Sequence, residues 1–438
     1  MTIAKVTATL IAASAAKKKS MDAKDYSKRY ENTLVAILFL SWGTVFLDRM
    51  SQLYLAPYIA PEFHLTHEQV GMLASVLAIT WAVSTLFFGA LSDRFGRRKI
   101  LIPAVFAFSL LSWFSGVAHT FHELLLARAL MGIAEGPCWS IMTALIEETS
   151  TPSRRGRNIG IVVSAGALVG LAVAPILTTQ VAARFGWRWA FFVCGVPGIL
   201  MGLLMWKFVK EPPGKSGANG ERLHQPRIRD YFAILRYRNV WLCCIGAAGF
   251  ISWLFLSNVF APLYITEVAH QKATTAGFLL GASGLGSFIL GFLMPALSDR
   301  IGRKPVLLAM AAMSALVPLV LLIQPLYAYP WILATILFLT NAGQGMPTLT
   351  MVLIPTESVP PQFAATSIGL ATLVGEVFGA TIAPTLGGAL AETHGLGITL
   401  LMSAGGAGLV FLVALFLKET ANIRHGATHP QPVAEPLH

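Results

Sequence analysis

The chain has 438 residues, of which 55% are hydrophobic and only 12% are charged, and its mean hydropathy is +0.66. Soluble domains carry about 25% charged residues, so this composition excludes an ordinary soluble protein and indicates one that lies largely within a lipid bilayer. The net charge of +11 would suggest nucleic acid as the partner of a soluble protein, but the placement of the charge argues otherwise.

Twelve apolar segments are long enough to cross a bilayer, because a membrane helix needs about 20 mostly apolar residues. Their predicted boundaries, in chain order, are roughly 32–57, 67–91, 100–119, 122–147, 158–182, 188–209, 240–265, 273–297, 305–324, 329–354, 364–391 and 396–418. The sequence therefore predicts an all-α membrane protein with twelve transmembrane helices.

Lysine and arginine residues concentrate on one side of these predicted spans. When the N-terminus is placed inside the cell, 27 of the 32 Lys and Arg residues fall in the tails and in the cytoplasmic loops. Short cytoplasmic loops are rich in positive charge in membrane proteins generally. We therefore expect a multi-pass protein of the cell inner membrane with both termini cytoplasmic, and no nucleic-acid partner.

The chain also repeats itself. The segment Gly89–Lys99 recurs as Pro295–Lys304, shifted by 206 residues between Asp93 and Asp299. Six further residues recur in the same order, and each recurs 209 positions later. Glu148, Pro152, Gly160, Gly166, Gly170 and Pro175 match Glu357, Pro361, Gly369, Gly375, Gly379 and Pro384. Such duplication predicts a transporter built from two parallel six-helix repeats, with its substrate site between them.

The repeat and the charge distribution together predict the domain organisation. We expect a cytoplasmic N-terminal tail at 1–30, an N-terminal six-helix bundle at 31–210, a cytoplasmic linker at 211–238, a C-terminal bundle at 239–420 and a cytoplasmic C-terminal tail at 421–438.

The duplicated segment resembles the loop between helices 2 and 3 of the major facilitator superfamily, and Arg128, Gly132 and Gly136 of the fourth span also resemble that family. The resemblance implies a gate at the cytoplasmic mouth, in which Asp93 pairs with an arginine and a helix N-terminus. The alternative is that the basic residues only set the topology. The predicted gating residues are Asp93, Arg94, Arg97, Asp299, Arg300, Arg303, Glu148 and Glu357.

Leu47-Asp48-Arg49 in span 1, together with Arg128 and Glu135 in span 4, resembles the anion–cation symporter branch of that superfamily. Members of this branch move sugar acids and other organic anions with protons or sodium. The resemblance implies that Arg49 binds a substrate carboxylate and that Asp48 and Glu135 carry protons. Sugar-acid members often have Gln where this chain has Ala167. The residue that the 209-residue shift matches to Ala167 in the second half is a carboxylate, Glu376.

Charged side chains inside a membrane span are costly and usually face a cavity or a partner. A structural interpretation pairs Asp48 with Arg128 and Arg49 with Glu135. A functional interpretation is that protonation of Asp48 or Glu135 offsets the charge of an entering carboxylate, which couples proton and substrate binding. The predicted proton-coupling residues are Asp48, Glu135, Arg128 and Glu376, and the predicted substrate-binding residues are Arg49, Gln52, Tyr54, Trp139, Trp253, Asn258, Asn341 and Gln344.

Motifs for other chemistry are missing from the sequence. The four cysteines lack metal-ligand spacing, and Gly214-Lys215-Ser216 lacks the earlier glycine of a phosphate-binding loop, because position 210 is Lys210. We therefore expect no metal, no cofactor and no enzymatic activity. The leading hypothesis is a monomer that imports a small organic anion with protons, or alternatively sodium. The rivals are transport of a neutral sugar or an aromatic compound, drug efflux, and a non-transporting sensor or scaffold.

Overall fold

The computed structural model describes the backbone of residues 3–151, 154–211, 234–360 and 363–421 and the side chains from residue 28 onward, apart from those of residues 86, 90, 93 and 365. The predicted linker and C-terminal tail lie mostly outside these ranges. Within them the chain is helical, and the helices are α1 Ile3–Phe63, α2 His67–Phe95, α3 Arg97–Gly116, α4 Phe121–Thr149, α5 Arg155–Phe185, α6 Trp187–Phe208, α7 Arg238–Val268, α8 Ala273–Ile301, α9 Arg303–Leu321, α10 330–357, α11 364–394 and α12 Gly397–Phe416.

Eleven of these helices, within the described residues, are long and apolar enough to cross a membrane. The tenth predicted span is instead broken into Pro330–Thr340, Gly343–Gly345, Thr348–Leu353 and Ile354–Glu357. A Cβ atom on Gly343 would lie 2.0 Å from the indole ring of Trp253 on α7, so only glycine allows α7 to approach the break this closely. The prediction of an all-α fold is confirmed, with α10 as a discontinuous span.

The first helix is also longer than expected. The helical backbone of α1 begins at Ile3, inside the segment 1–30 that the sequence predicts to be a cytoplasmic tail. Residues 3–27 are rich in Ala and Lys, which have high helix propensity. The apolar membrane span itself starts only near Lys28.

Two helices contain π-helical turns at repeat-equivalent positions. Gly166–Val173 interrupts α5 and Glu376–Ile382 interrupts α11. Each segment begins close to the residues that the 209-residue shift had matched. Wide π turns occur often at functional sites because they change the direction in which side chains project.

The turns that precede α3 and α9 show why the duplicated segment contains glycine. Gly96 has a φ of 101° and Gly302 a φ of 115°, a region that favours glycine. The Glu211 carboxylate accepts the backbone N–H groups of Arg97 and Arg98, at 2.6 and 2.9 Å. An acidic side chain is favourable at a helix N-terminus.

Glu419 plays the same part in the second half, where it accepts the backbone N–H groups of Arg303 and Lys304, at 2.8 and 3.0 Å. Burial alone would raise the pKa of Glu419, but these N–H groups and those of Ala421 and Thr420 hold it below its usual range. Neither Glu211 nor Glu419 was among the functional residues predicted from the sequence.

Helices α1–α6 and α7–α12 form two bundles that contact each other at one end of the molecule, which we call the His67 end. There α2 packs against α11, where Ser75 Oγ accepts a hydrogen bond from Thr385 Oγ1 at 2.8 Å, and α5 packs against α8. His67 lies between two carboxylates of the other bundle: its Nε2 is 3.1 Å from Glu267 Oε2 and its Nδ1 is 3.2 Å from Glu392 Oε1.

At the opposite end, the basic-loop end, two ion pairs between described residues each lie within a single bundle. Arg97 bonds Glu148 of its own half, and Arg303 bonds Glu357 of its own half. A Cβ atom added to Gly160 on α5 or to Gly369 on α11 would have no described atom within 4 Å. The contacts described between the bundles therefore concentrate at the His67 end.

Candidate substrate and proton site

The deepest polar contact between the two bundles is an ion pair. Nη2 of Arg49, on α1, lies 3.6 Å from Oε2 of Glu376, at the start of the π segment of α11. The local packing of α11 depends on small residues, because a Cβ atom on Gly379 would lie 2.6 Å from the Ile251 side chain on α7. The structural interpretation had paired Arg49 with Glu135, but within 4 Å its carboxylate partner among the described residues is Glu376.

Two aromatic rings from different bundles surround the Arg49 guanidinium. Its Cζ lies 5.1 Å from the centre of the Trp81 ring on α2 and 5.3 Å from the centre of the Phe255 ring on α7. Cation–π contacts of this kind hold a guanidinium in place without occupying its N–H groups. Neither ring belonged to the predicted site, because nothing in the sequence separates them from the many other aromatic residues in apolar spans.

Several buried polar atoms at Arg49 have no hydrogen-bond partner among the described residues. They are Nε and Nη2 of Arg49, Nε1 of Trp81 and Oε2 of Glu376. Nε and Nη2 share one edge of the guanidinium, and this edge can hold a carboxylate through two parallel hydrogen bonds. A buried polar group without a partner is costly, so the arrangement has an unmet capacity for an anion.

A second group of charges lies within the N-terminal bundle. Asp48, Arg128 and Glu135 are all fully buried. Asp48 Oδ1 accepts a hydrogen bond from Ser112 Oγ at 2.5 Å, and the Arg128 guanidinium lies 5.0 Å from the centre of the Phe191 ring.

These charges lie near one another without closing into pairs. Arg128 interacts electrostatically with both Asp48 and Glu135, and Glu135 also with Arg49. Among these described residues no carboxylate comes within the 4 Å of an ion pair with Arg128, and both carboxylate oxygens of Glu135 lack a hydrogen-bond partner. The alternative, structural interpretation with two closed ion pairs, Asp48 with Arg128 and Arg49 with Glu135, does not hold among the described residues. A fully buried and unpaired carboxyl group is far cheaper in its neutral form, which suits a proton carrier.

The other predicted substrate-binding residues divide into two sets. Tyr54 donates its hydroxyl to Asn258 Oδ1 at 2.7 Å and so joins α1 to α7. Asn341 lies at the break in α10, where its Nδ2 bonds Ser283 Oγ at 2.8 Å. Gln344 lies in the same break and its backbone N–H bonds Ser287 Oγ, and Gln52 is buried on α1.

The two tryptophans predicted to bind substrate make contacts within their own bundles. Trp253 donates its indole N–H to the Ser314 carbonyl at 2.9 Å, within the C-terminal bundle. Trp139 packs against Trp42 at 5.0 Å, within the N-terminal bundle. These contacts are typical of helix packing.

The predicted gating residues lie together at the basic-loop end. Arg303 bonds Asp299 at 2.5 Å and Glu357 at 2.9 Å, while Arg97 bonds Glu148 at 3.1 Å. Arg94 and Arg300 are exposed, and the side chain of Asp93 lies outside the described part of the chain.

Comparisons with known proteins agree with this architecture. Residues 38–380 match the family model described as Major Facilitator Superfamily. The chain is 28% identical over 384 residues to the cis,cis-muconate transport protein of Acinetobacter baylyi, covering 85% of this chain and 91% of that protein. It is 31% identical over 285 residues to the hexuronate transporter of Bacillus subtilis, covering 63% and 67%. Among solved structures, a bacterial homologue of the human lysosomal transporter Spinster superposes with a TM-score of 0.72 at 19% identity, covering 88% and 97%.

Proposed function

The chain belongs to the major facilitator superfamily of membrane transporters, and from this premise we propose that it imports a small organic anion together with protons. In this proposal it works as a monomer in the cell inner membrane, with both termini in the cytoplasm. The muconate and hexuronate transporters to which it is similar are both named for organic acids, and this supports the class of substrate.

One observation carries the proposal: the free edge of the Arg49 guanidinium. Arg49 is only 5% exposed, and its Nε and Nη2 donors have no hydrogen-bond partner among the described residues. A substrate carboxylate would satisfy both donors at once. A neutral sugar has no charged oxygens with which to form this pair of charge-assisted hydrogen bonds.

The charges around Arg49 support coupling to protons. Asp48, Glu135 and Glu376 carry three negative charges when ionised, against two positive charges on Arg49 and Arg128. An entering carboxylate would increase the excess of negative charge in a buried site. Protonation of Glu135 or Glu376 offsets that charge, so proton and substrate each favour the binding of the other.

The place where the two bundles touch supports the proposal of alternating access. The topology proposed from the basic loops puts the basic-loop end in the cytoplasm, so the contacts at the His67 end would close the outer side of the protein. The opposite conformation would separate His67 from Glu267 and Glu392. It would also bring the loops of Asp93 and Asp299 together, and in this state the predicted gating residues would act.

The test is binding of carboxylates to variants of Arg49 in purified full-length protein. We expect cis,cis-muconate or galacturonate to raise the thermal unfolding temperature of the wild type, since a ligand stabilises by RT ln(1+[L]/Kd). Arg49→Ala should abolish this shift, whereas Arg184→Ala, which alters an exposed arginine, should retain it. A shift of undiminished size with Arg49→Ala would contradict the proposal.

A further inference from the structure

The indole N–H of Trp81 is a buried donor without a partner. Trp81 is 6% exposed, and its Nε1 has no hydrogen-bond partner among the described residues. An unmet buried donor costs about 1–3 kcal/mol, and native proteins retain few such groups. The position of this donor therefore calls for a partner that binds to the protein.

Other indoles in the same bundles do find partners. Trp113 donates to the Phe192 carbonyl at 3.0 Å, Trp187 to Glu62 at 2.5 Å and Trp253 to the Ser314 carbonyl at 2.9 Å. The packing of this protein can thus satisfy a buried indole from backbone or side-chain acceptors. Arg49, which contacts the Trp81 ring, has donors only and cannot accept its N–H.

The Trp81 ring lies beside the Arg49 guanidinium. The ring centre is 5.1 Å from Arg49 Cζ, and the unmet atoms of the two residues are all N–H donors: Nε and Nη2 of Arg49 and Nε1 of Trp81. A carboxylate offers about four lone-pair positions on its two oxygens. It can accept the two bonds of the guanidinium edge and still accept a third.

We propose that Trp81 donates its indole N–H to the substrate carboxylate and thereby completes a three-donor anion site with Arg49. This inference rests on the proposed function, because it assigns a further residue to the same carboxylate. A site made of three donors requires an acceptor-only group, so it selects an ionised carboxylate over the corresponding amide, whose NH2 group would face a donor.

The position of Trp81 also links the anion to the bundle interface. Trp81 lies on α2, the helix that packs against α11 at the His67 end, while Arg49 lies on α1. A carboxylate bound to both residues bridges α1 and α2 at the level where Glu376 of α11 enters the site.

The test replaces the N–H of Trp81 and leaves an aromatic ring in place. Trp81→Phe and the substitution of Trp81 by 3-benzothienylalanine, which has sulfur in place of the N–H, are compared with wild type for binding of cis,cis-muconate and galacturonate. The matched control is Trp113→Phe, whose indole N–H is already bonded to the Phe192 carbonyl within the N-terminal bundle. Unfolding temperatures report whether each variant folds.

We expect both Trp81 variants to weaken carboxylate binding roughly tenfold to a hundredfold, as loss of a hydrogen bond to a charged group predicts, and to lose preference for the acid over its amide. Trp113→Phe should keep the affinity of the wild type. Binding within twofold of wild type for the benzothienyl variant would overturn this inference alone. Failure of wild type to bind either acid would overturn the proposed function, and the inference with it.

Discussion

Substitution of Gly71 by alanine should hold the two bundles apart at the His67 end. A Cβ atom at this position on α2 would lie 2.2 Å from the Pro384 carbonyl oxygen on α11, 2.7 Å from its carbon and 3.1 Å from Thr385 Cα. All three are backbone atoms, so no side chain can rotate away. To reach ordinary contact, the helices must separate by about 1 Å, since close-packed interiors have no spare room.

The magnitude follows from the cost of overpacking. An extra methyl group in a packed interior costs about 1–3 kcal/mol, but that cost applies only to the conformation in which α2 and α11 touch. The conformation open at the His67 end does not bear it. A difference of this size shifts a two-state equilibrium by roughly 5- to 150-fold, so Gly71→Ala should strongly favour opening at the His67 end.

Double electron–electron resonance can measure this shift. Spin labels on Glu68→Cys and Thr393→Cys, both at exposed positions of α2 and α11, report the distance between the bundles, and the four native cysteines are buried. We expect Gly71→Ala to move the distance distribution to longer values. Gly405→Ala on α12 is the control, because its Cβ atom meets nothing within 4 Å. Identical distributions for Gly71→Ala and wild type would refute the reasoning.

Two further predictions concern acidic residues. Glu135→Gln should abolish uptake driven by a pH gradient in proteoliposomes while sparing substrate exchange, because a neutral side chain cannot release a proton; undiminished gradient-driven uptake would exclude Glu135 as the carrier. Glu419→Gln should lower the unfolding temperature at neutral pH, because N–H groups at the start of α9 lower the pKa of Glu419 in the folded protein. A carboxyl group whose pKa is lower in the folded than in the unfolded protein stabilises the fold above the unfolded pKa of about 4.3. This stabilisation is lost as the pH falls through the folded pKa. The difference in unfolding temperature between variant and wild type should therefore shrink on acidification. A difference that does not change with pH would contradict this explanation.

The fold was largely predictable because membrane spans and internal repeats leave direct marks on a sequence. The 206-residue shift includes Gly96 and Gly302, whose positive φ angles explain why glycine recurs there. The break in α10 was not predictable from hydropathy, because an apolar window averages over it. It depends on Gly343 meeting the Trp253 ring, a contact between residues far apart in the chain.

The sequence was enough to predict which charged residues belong to the site, but it was not enough to predict which residues they pair with. Arg49, Glu135 and Glu376 are conspicuous because few charges lie inside the spans. Which carboxylate meets Arg49 depends on how α1 and α11 approach each other, and residue spacing within one helix carries no information about that. Trp81 gave no signal in the sequence, because its significance is that its N–H lacks a partner, which only the packing reveals.

The ion pair between Arg49 and Glu376 changes how the work is divided between the halves. The distribution of charges had suggested that anion and proton handling belong to the N-terminal half. Because Glu376 comes from α11, a substrate carboxylate that takes the free edge of Arg49 competes with a carboxylate of the other half. A displaced Glu376 remains buried, and a buried unpaired carboxylate is stable only when it binds a proton. We infer that substrate binding at Arg49 would thereby promote proton uptake and loosen a contact between the halves, so that a single residue pair couples substrate, proton and conformation.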